Sequence, residues 1–262
     1  MISTLKRSIF RSLSLENYLR LLQRSYFILY KTGILRLSSI YTYHYFVKRL
    51  IKKGDIIIDI GANLGYYSIL FAKWTGPTGK VYAVEPVTVY NKIYNEIAKK
   101  YSNITLYPYA LGSEEKTINM VSSPGKGYLS TGLLHVHDAQ KDRNIENEEF
   151  RFRAQMKIPS RLFGAIEKID YIKCDIEGYE YQVFSDMRAI IQRHHPKVQV
   201  EIWGENKEKL NNLFTDMGYT LYKLVNNKLV AELNSTDKKG GEFIFIHKDD
   251  QTSPTLPAQS YL

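Results

Sequence analysis

The chain has 262 residues and a single cysteine, Cys174. One thiol closes no internal disulfide, so a disulfide-stapled fold is excluded and a reducing, cytoplasmic setting is the expectation. Cys174 itself lies in an apolar run and reads as packing. No run of about 18 apolar residues occurs, so no membrane-spanning helix is expected. Met1 to Arg7 lacks the apolar core and small-residue cleavage site of a secretory signal. Acidic residues are nearly missing from the first 53 positions, where Glu16 stands against eleven Lys and Arg. That segment carries +10 of a chain total of +9, which leaves −1 for residues 54–262. The basicity therefore belongs to an N-terminal appendage rather than to the body of the protein. Zinc-finger spacing and aromatic RNA-binding signatures are also missing, which argues against nucleic acid as a partner.

What is present organises around Asp55 to Gly65. Ile56, Ile57 and Ile58 form the short β-branched run of a strand buried on both faces of a parallel sheet. Gly61 and Gly65 bracket a turn, and Tyr66 to Ala72 has the apolar spacing of a helix packed on that sheet. A dinucleotide-binding turn needs glycine at its third and sixth positions for backbone approach to a pyrophosphate. Here those positions are Asn63 and Tyr66. A carboxylate just before the turn, Asp59, repels phosphate and suits a ligand that carries an ammonium and no phosphate. S-adenosylmethionine is such a ligand. A second strand, Val81 to Val84, ends in Glu85 and Pro86, and an acid in that place can accept both ribose hydroxyls.

Four motifs in order then resemble the FkbM-type methyltransferases, a branch of the class I S-adenosylmethionine-dependent enzymes. They are Asp59 to Ser68, Val84-Glu85-Pro86, Ala110-Leu111-Gly112, and Ile172 to Glu180. The resemblance covers about residues 50 to 225. It implies an α/β fold with a doubly wound, mostly parallel, seven-stranded Rossmann-like sheet and an antiparallel edge, which the basic N-terminal helical appendage precedes. It also implies methyl transfer to oxygen, with a sugar, glycan or small-molecule hydroxyl as the acceptor. The cofactor-binding candidates are Asp59, Gly61, Asn63, Gly65, Tyr66, Glu85, Pro86, Ala110, Leu111 and Asp175. Ala110 and Leu111 enter by position, where the family's chain passes the adenine.

Methyl transfer needs an acceptor oxygen aligned with the methyl carbon and a group that takes its proton. Asp175 and Glu177 follow the fourth parallel strand and stand nearest that point. Asp175 is assigned to positioning and Glu177 to the base, although an acid in a helix's first turn is also what the helix dipole favours. His135 and His137 share one face if extended and rival Glu177 as base. They could also hold a divalent metal, but spacing offers no third and fourth ligand, so none is expected. Glu201 and Trp203, at the end of the fifth strand, are candidates for the acceptor pocket.

Three segments result: 1–53, the basic helical appendage; 54–248, the methyltransferase domain, with 122–159 as a polar, lid-like insertion; and 249–262, a flexible tail. Leu13, Leu15, Leu19, Leu22, Tyr26, Phe27 and Tyr30 give the appendage an amphipathic helix. Its basic face is either solvated or drawn to anionic lipid, a peripheral membrane contact. Lys116 to Val121 is expected to extend the sheet through a hairpin at Gly112 to Glu115. Two other readings stay open: an RNA or protein methyltransferase, and a nucleoside-binding module without catalysis.

Overall fold

The structure is a computed structural model that describes residues 2–122, 129, 131–137, 151–232 and 240–250. Ile57 and Ile58 are fully buried in β1 (Ile56–Ile60), one on each face of the sheet. Beside it run β2 (Lys80–Val84) and β3 (Ile104–Tyr107) on one flank, and β8 (Tyr171–Cys174) and β9 (Lys197–Ile202) on the other, all parallel. Then come β12 (Gly241–His247), β10 (Tyr219–Val225) and β11 (Lys228–Ala231), each antiparallel to its neighbour. The order is β11-β10-β12-β9-β8-β1-β2-β3.

The sheet thus has eight strands rather than the expected seven. The added edge strand, β11, arises because Asn226 and Asn227 both take positive φ, 48° and 62°, and close a two-residue hairpin that returns the chain beside β10.

Alternation along the strands separates two layers. Ile58, Ile60, Ile172, Val198 and Val200 face α7 (Glu180–Asp186), α8 (Arg188–His194) and α9 (Asn206–Thr215). The segment that follows β8 forms two helices rather than one continuous helix. Asp186 turns its carboxylate to the Ser160 N–H and hydroxyl at the start of α6 (Pro159–Phe163), and Met187 drops out of helical geometry at ψ 2°. On the other face, Ile57, Val81 and Tyr171 meet α3 (Thr42–Phe46) and α4 (Tyr66–Thr75). α3 is short and passes into a 3-10 turn at Val47–Arg49.

The basic segment packs on the same layer. It comprises α1 (Ile2–Ser12) and α2 (Leu15–Thr32), the latter capped by the Ser14 hydroxyl and by Gly33 at φ 80°. Tyr18 and Leu19 of α2 join Leu64 and residues of α5 (Thr88–Ala98) in one cluster. Gln23, buried, donates to the carbonyls of Leu64 and Ile93, and Arg20 pairs with Glu96.

Lys116–Ser122, which is β5, does not extend the main sheet. After β3 comes Pro108, which has no N–H to donate to a ladder, and the chain leaves the sheet there. β4 (Tyr109–Leu111), β5, β6 (Leu134–Val136) and β7 (Arg151–Lys157) build a separate sheet in the order β4-β7-β5-β6. The lid-like insertion therefore supplies two strands of this second sheet. Its residues 123–128, 130 and 138–150, and 251–262 of the tail, lie outside the described residues.

Candidate active site

The sheet reverses its winding between β1 and β8, and a crevice opens there at the carboxyl ends of the parallel strands. Backbone hydrogen bonds draw its walls together: Gly61 and Ala62 donate to the Val84 carbonyl, Glu85 to Tyr107, and Asp175 to Ile60. Gly61, at φ 78°, has no room for a side chain, since a Cβ would stand 1.9 Å from the Asp175 carbonyl oxygen. Asn63 turns through φ 52°, its side chain accepting from the Leu64 N–H and donating to the Thr131 carbonyl.

The crevice has a volume of about 450 Å³, and Gly61, Asn63, Glu85, Pro86, Asp175 and Glu177 all line it. It opens into an apolar recess of about 330 Å³ whose walls include Pro86, Tyr109, Ala110, Leu111 and Met120. The second sheet roofs both, through Met120 of β5, Leu134 and Val136 of β6, and β4.

Glu85 is 5% exposed. Its two carboxylate oxygens accept the N–H groups of Asn63 at 2.8 Å and Val87 at 2.9 Å. Burial pushes its carboxyl up to about 7 against the pull of those two donors. Glu177 sits at φ 52° in the turn between β8 and α7. Burial, then the charges of Asp175, Glu201 and Glu180, push it up to about 7 as well. Asp175 is paired with Lys173 Nζ at 3.2 Å. Burial alone would lower the Lys173 ammonium, but Asp175, Asp59 and Glu242 around it hold it above its ordinary value.

Other sequence candidates lie elsewhere. Asp59 is fully buried and does not line the crevice; one oxygen takes the Ser68 hydroxyl, and Oδ1 has no hydrogen-bond partner among the described residues. It stands in register with Lys173 across β1 and β8, and burial raises its carboxyl against the opposing pull of Lys173 and Ser68. Gly65 caps α4 with φ 85°, and Tyr66 turns away to pack on Tyr26, ring centroids 4.4 Å apart. His135 and His137 alternate with Leu134 and Val136, so if the latter two face the crevice the histidines take the opposite face. Trp203 is exposed and donates to Glu201 rather than lining the crevice.

Four residues carried no sequence signal for the site. Tyr90, in the first turn of α5, lines the crevice with a buried hydroxyl that has no partner among the described residues. Thr131 and Gly132 line it from the short 3-10 turn before β6. Lys173, the fourth, sits in β8 beneath the crevice and pairs with Asp175.

These features fit S-adenosylmethionine. Three carboxylates and no Lys or Arg are among the described lining residues, an apolar recess adjoins them, and the Tyr90 hydroxyl is free to accept or donate. The strand order and the crevice at its switch point define a class I, Rossmann-like methyltransferase fold. Residues 59–224 match the model of the methyltransferase FkbM domain, and the chain belongs to that family of S-adenosylmethionine-dependent methyltransferases.

Among solved structures, the methyltransferase FkbM from Methylobacillus flagellatus KT is 15% identical with a TM-score of 0.51, over 79% of this chain and 48% of that one. The chain thus spans about half the length of that protein. A putative rRNA-methylase from Clostridium thermocellum is 11% identical over 80% of this chain and 95% of that one, with a TM-score of 0.46. A SAM-dependent O-methyltransferase from Thermotoga maritima is 11% identical over 78% and 63%, with a TM-score of 0.40. No curated protein matches the chain.

Proposed function

We propose that this protein transfers a methyl group from S-adenosylmethionine to a hydroxyl oxygen of a sugar, glycan or small-molecule acceptor. The observation that carries the reading is the placing of Glu85 and Glu177 on the walls of one crevice, both with carboxyls near neutrality. The cofactor, when bound, supplies a methyl on a sulfonium, already a good leaving group. Glu85 accepts the ribose hydroxyls, with its oxygens aimed by the Asn63 and Val87 N–H groups. Asp175, steadied by Lys173, would hold the amine end. Pro86, Ala110, Leu111 and Met120, which wall the apolar recess, would hold the adenine. Asp59 serves from beneath, as a charge held next to Lys173.

Glu177 is the base. With cofactor and acceptor bound, its carboxylate would take up the proton that the acceptor hydroxyl gives up on methylation. A group with a pKa about 7 is matched to that task at neutral pH. Oxygen is favoured over nitrogen because the chain after β8 reads Asp175-Ile176-Glu177-Gly178, which offers a proton acceptor instead of an amide and stacked aromatic to grip an amine.

Binding comes first among the tests. S-adenosylhomocysteine should bind at least tenfold tighter than adenosine or NAD in calorimetric titration, and equal binding of all three would end the cofactor reading. A screen of sugars and glycans with methyl-labelled cofactor then tests the acceptor class. Labelling of RNA or protein alone would replace it.

A further inference from the structure

Residues 17–54 contain eight Lys and Arg and no Asp or Glu. Arg20 is engaged by Glu16 and Glu96. Arg24, Lys31, Arg36, Lys48 and Arg49 are exposed. The apolar side chains of this stretch divide in two. Leu19, Tyr26, Leu35 and Tyr43 turn inward, whereas Ile28, Ile34, Leu37 and Ile40 point out, at 62%, 51%, 90% and 75% exposure. Leu37 and Ile40 are the most exposed large apolar side chains among the described residues.

These side chains stand on one ordered platform. The 3-10 turns Ile34–Leu37 and Ser39–Tyr41 follow α2 directly. Tyr45 stacks on Tyr30 of α2 at 4.5 Å, and the Arg36 guanidinium lies over Tyr45 at 4.7 Å, so the loop is pinned back on the helix. On α2 itself Leu21 and Ile28 are seven residues apart, two helical turns, and share an exposed face with Arg24 and Lys31 near them.

We infer that this aliphatic, basic platform docks on the surface of an anionic lipid bilayer. The contact is peripheral, since no described helix is long and apolar enough to cross a membrane. Charge complementarity selects the occupant: exposed cations interleaved with Leu and Ile match a negatively charged headgroup layer over hydrocarbon. A second copy of the chain on the same face would set cation against cation. A nucleic acid would use the cations but leave Leu37 and Ile40 in water. The inference is independent of the methyl-transfer reading, since none of these residues lines the crevice.

Point variants of the full chain test it, because α2 puts Tyr18, Leu19 and Tyr26 into the core and deleting it would unfold the protein. Sedimentation with phosphatidylcholine vesicles, with and without about one-third phosphatidylserine, should pellet the protein at least tenfold better on the anionic vesicles. Roughly 0.5 M salt should release it. The double variant L37E/I40E should lose tenfold or more of this binding with its melting curve unchanged, and K31E/K48E should do the same. Equal pelleting on neutral vesicles, no pelleting of the unaltered chain, or full binding by L37E/I40E would overturn the inference. So would a concentration-dependent dimer that L37E/I40E dissolves, which would name a second copy as the occupant.

Discussion

Lys173 Nζ lies 3.2 Å from Asp175 Oδ2, joining a lysine whose side chain is 5% exposed to a carboxylate on the wall of the crevice. The same ammonium faces Asp59 and Glu242, so three acids depend on one buried cation. The ammonium nitrogen also lies over the Tyr67 ring, 4.9 Å from the centroid. This cluster, sunk between the sheet and α4, is the electrostatic floor of the site.

Replacing that cation should expose its role. Lys173→Met keeps the length of the stem and removes the charge, which leaves buried carboxylates facing one another. The expected loss of stability is about 3 kcal/mol, the scale for a broken buried pair. The loss should be greater at pH 8 than at pH 6, because at lower pH the orphaned acids can take up protons instead. Urea unfolding at the two pH values measures it. A variant equally stable at both, and equal to the unaltered protein, would remove Lys173 from the argument.

Gly61 should be irreplaceable while Gly178 is not. Both have positive φ, 78° and 102°. A Cβ at Gly61 would press into the Asp175 carbonyl at 1.9 Å, whereas nothing lies within 4 Å of one at Gly178. Gly178→Ala should cost only backbone strain, about 1 kcal/mol. Gly61→Ala must also part the ends of β1 and β8 and should weaken S-adenosylhomocysteine binding at least tenfold. Unfolding and calorimetry on the two variants give the comparison.

The contrast between these glycines bears on what the sequence can tell. Gly61 follows three β-branched residues and an acid, a local signal for a strand that ends in a tight turn, and the parallel core of the fold was readable from such signals. Glu85, Asp175 and Glu177 were legible in the same way, as acids just past strand ends. The second sheet was not. β4 is three residues long, and its partner β7 lies some 40 positions on, beyond a turn-rich and polar stretch, so no local period marks the pairing. Tyr90 and Lys173 escaped notice for a related reason: a tyrosine in a helix and a lysine in a strand are unremarkable until the register sets one beside the crevice and the other beside Asp59.

Glu177 should govern the pH dependence of turnover. Its carboxyl, pushed up to about 7 by burial and by neighbouring acids, must be ionised to accept a proton. Activity of the unaltered protein should therefore rise with pH through about 7 and then level. Glu177→Gln should lower turnover of an accepted hydroxyl substrate by about 100-fold or more and flatten the profile. S-adenosylhomocysteine affinity should change little. If the glutamine variant keeps both rate and profile, a group other than Glu177 is the proton acceptor.

Glu85 makes two linked expectations, one for binding and one for stability. As the acceptor for ribose hydroxyls it should contribute about 1.5 to 3 kcal/mol, so Glu85→Ala should weaken S-adenosylhomocysteine binding by roughly 10- to 150-fold. In the free protein the same carboxyl is held at about 7, above its ordinary 4.5. The folded state therefore binds more protons than the unfolded state between those values, and the stability this group contributes is lost as pH rises through that window. Glu85→Gln carries no titrating group and should remove this component. Its amide nitrogen, however, meets an N–H donor at Asn63 or Val87 where a carboxylate oxygen had accepted, so the variant should be less stable than the parent at pH 5 and closer to it at pH 8. Chemical denaturation of both proteins across that range, without cofactor, reads the difference directly; parallel curves would mean that Glu85 titrates in the fold as it does in the unfolded chain.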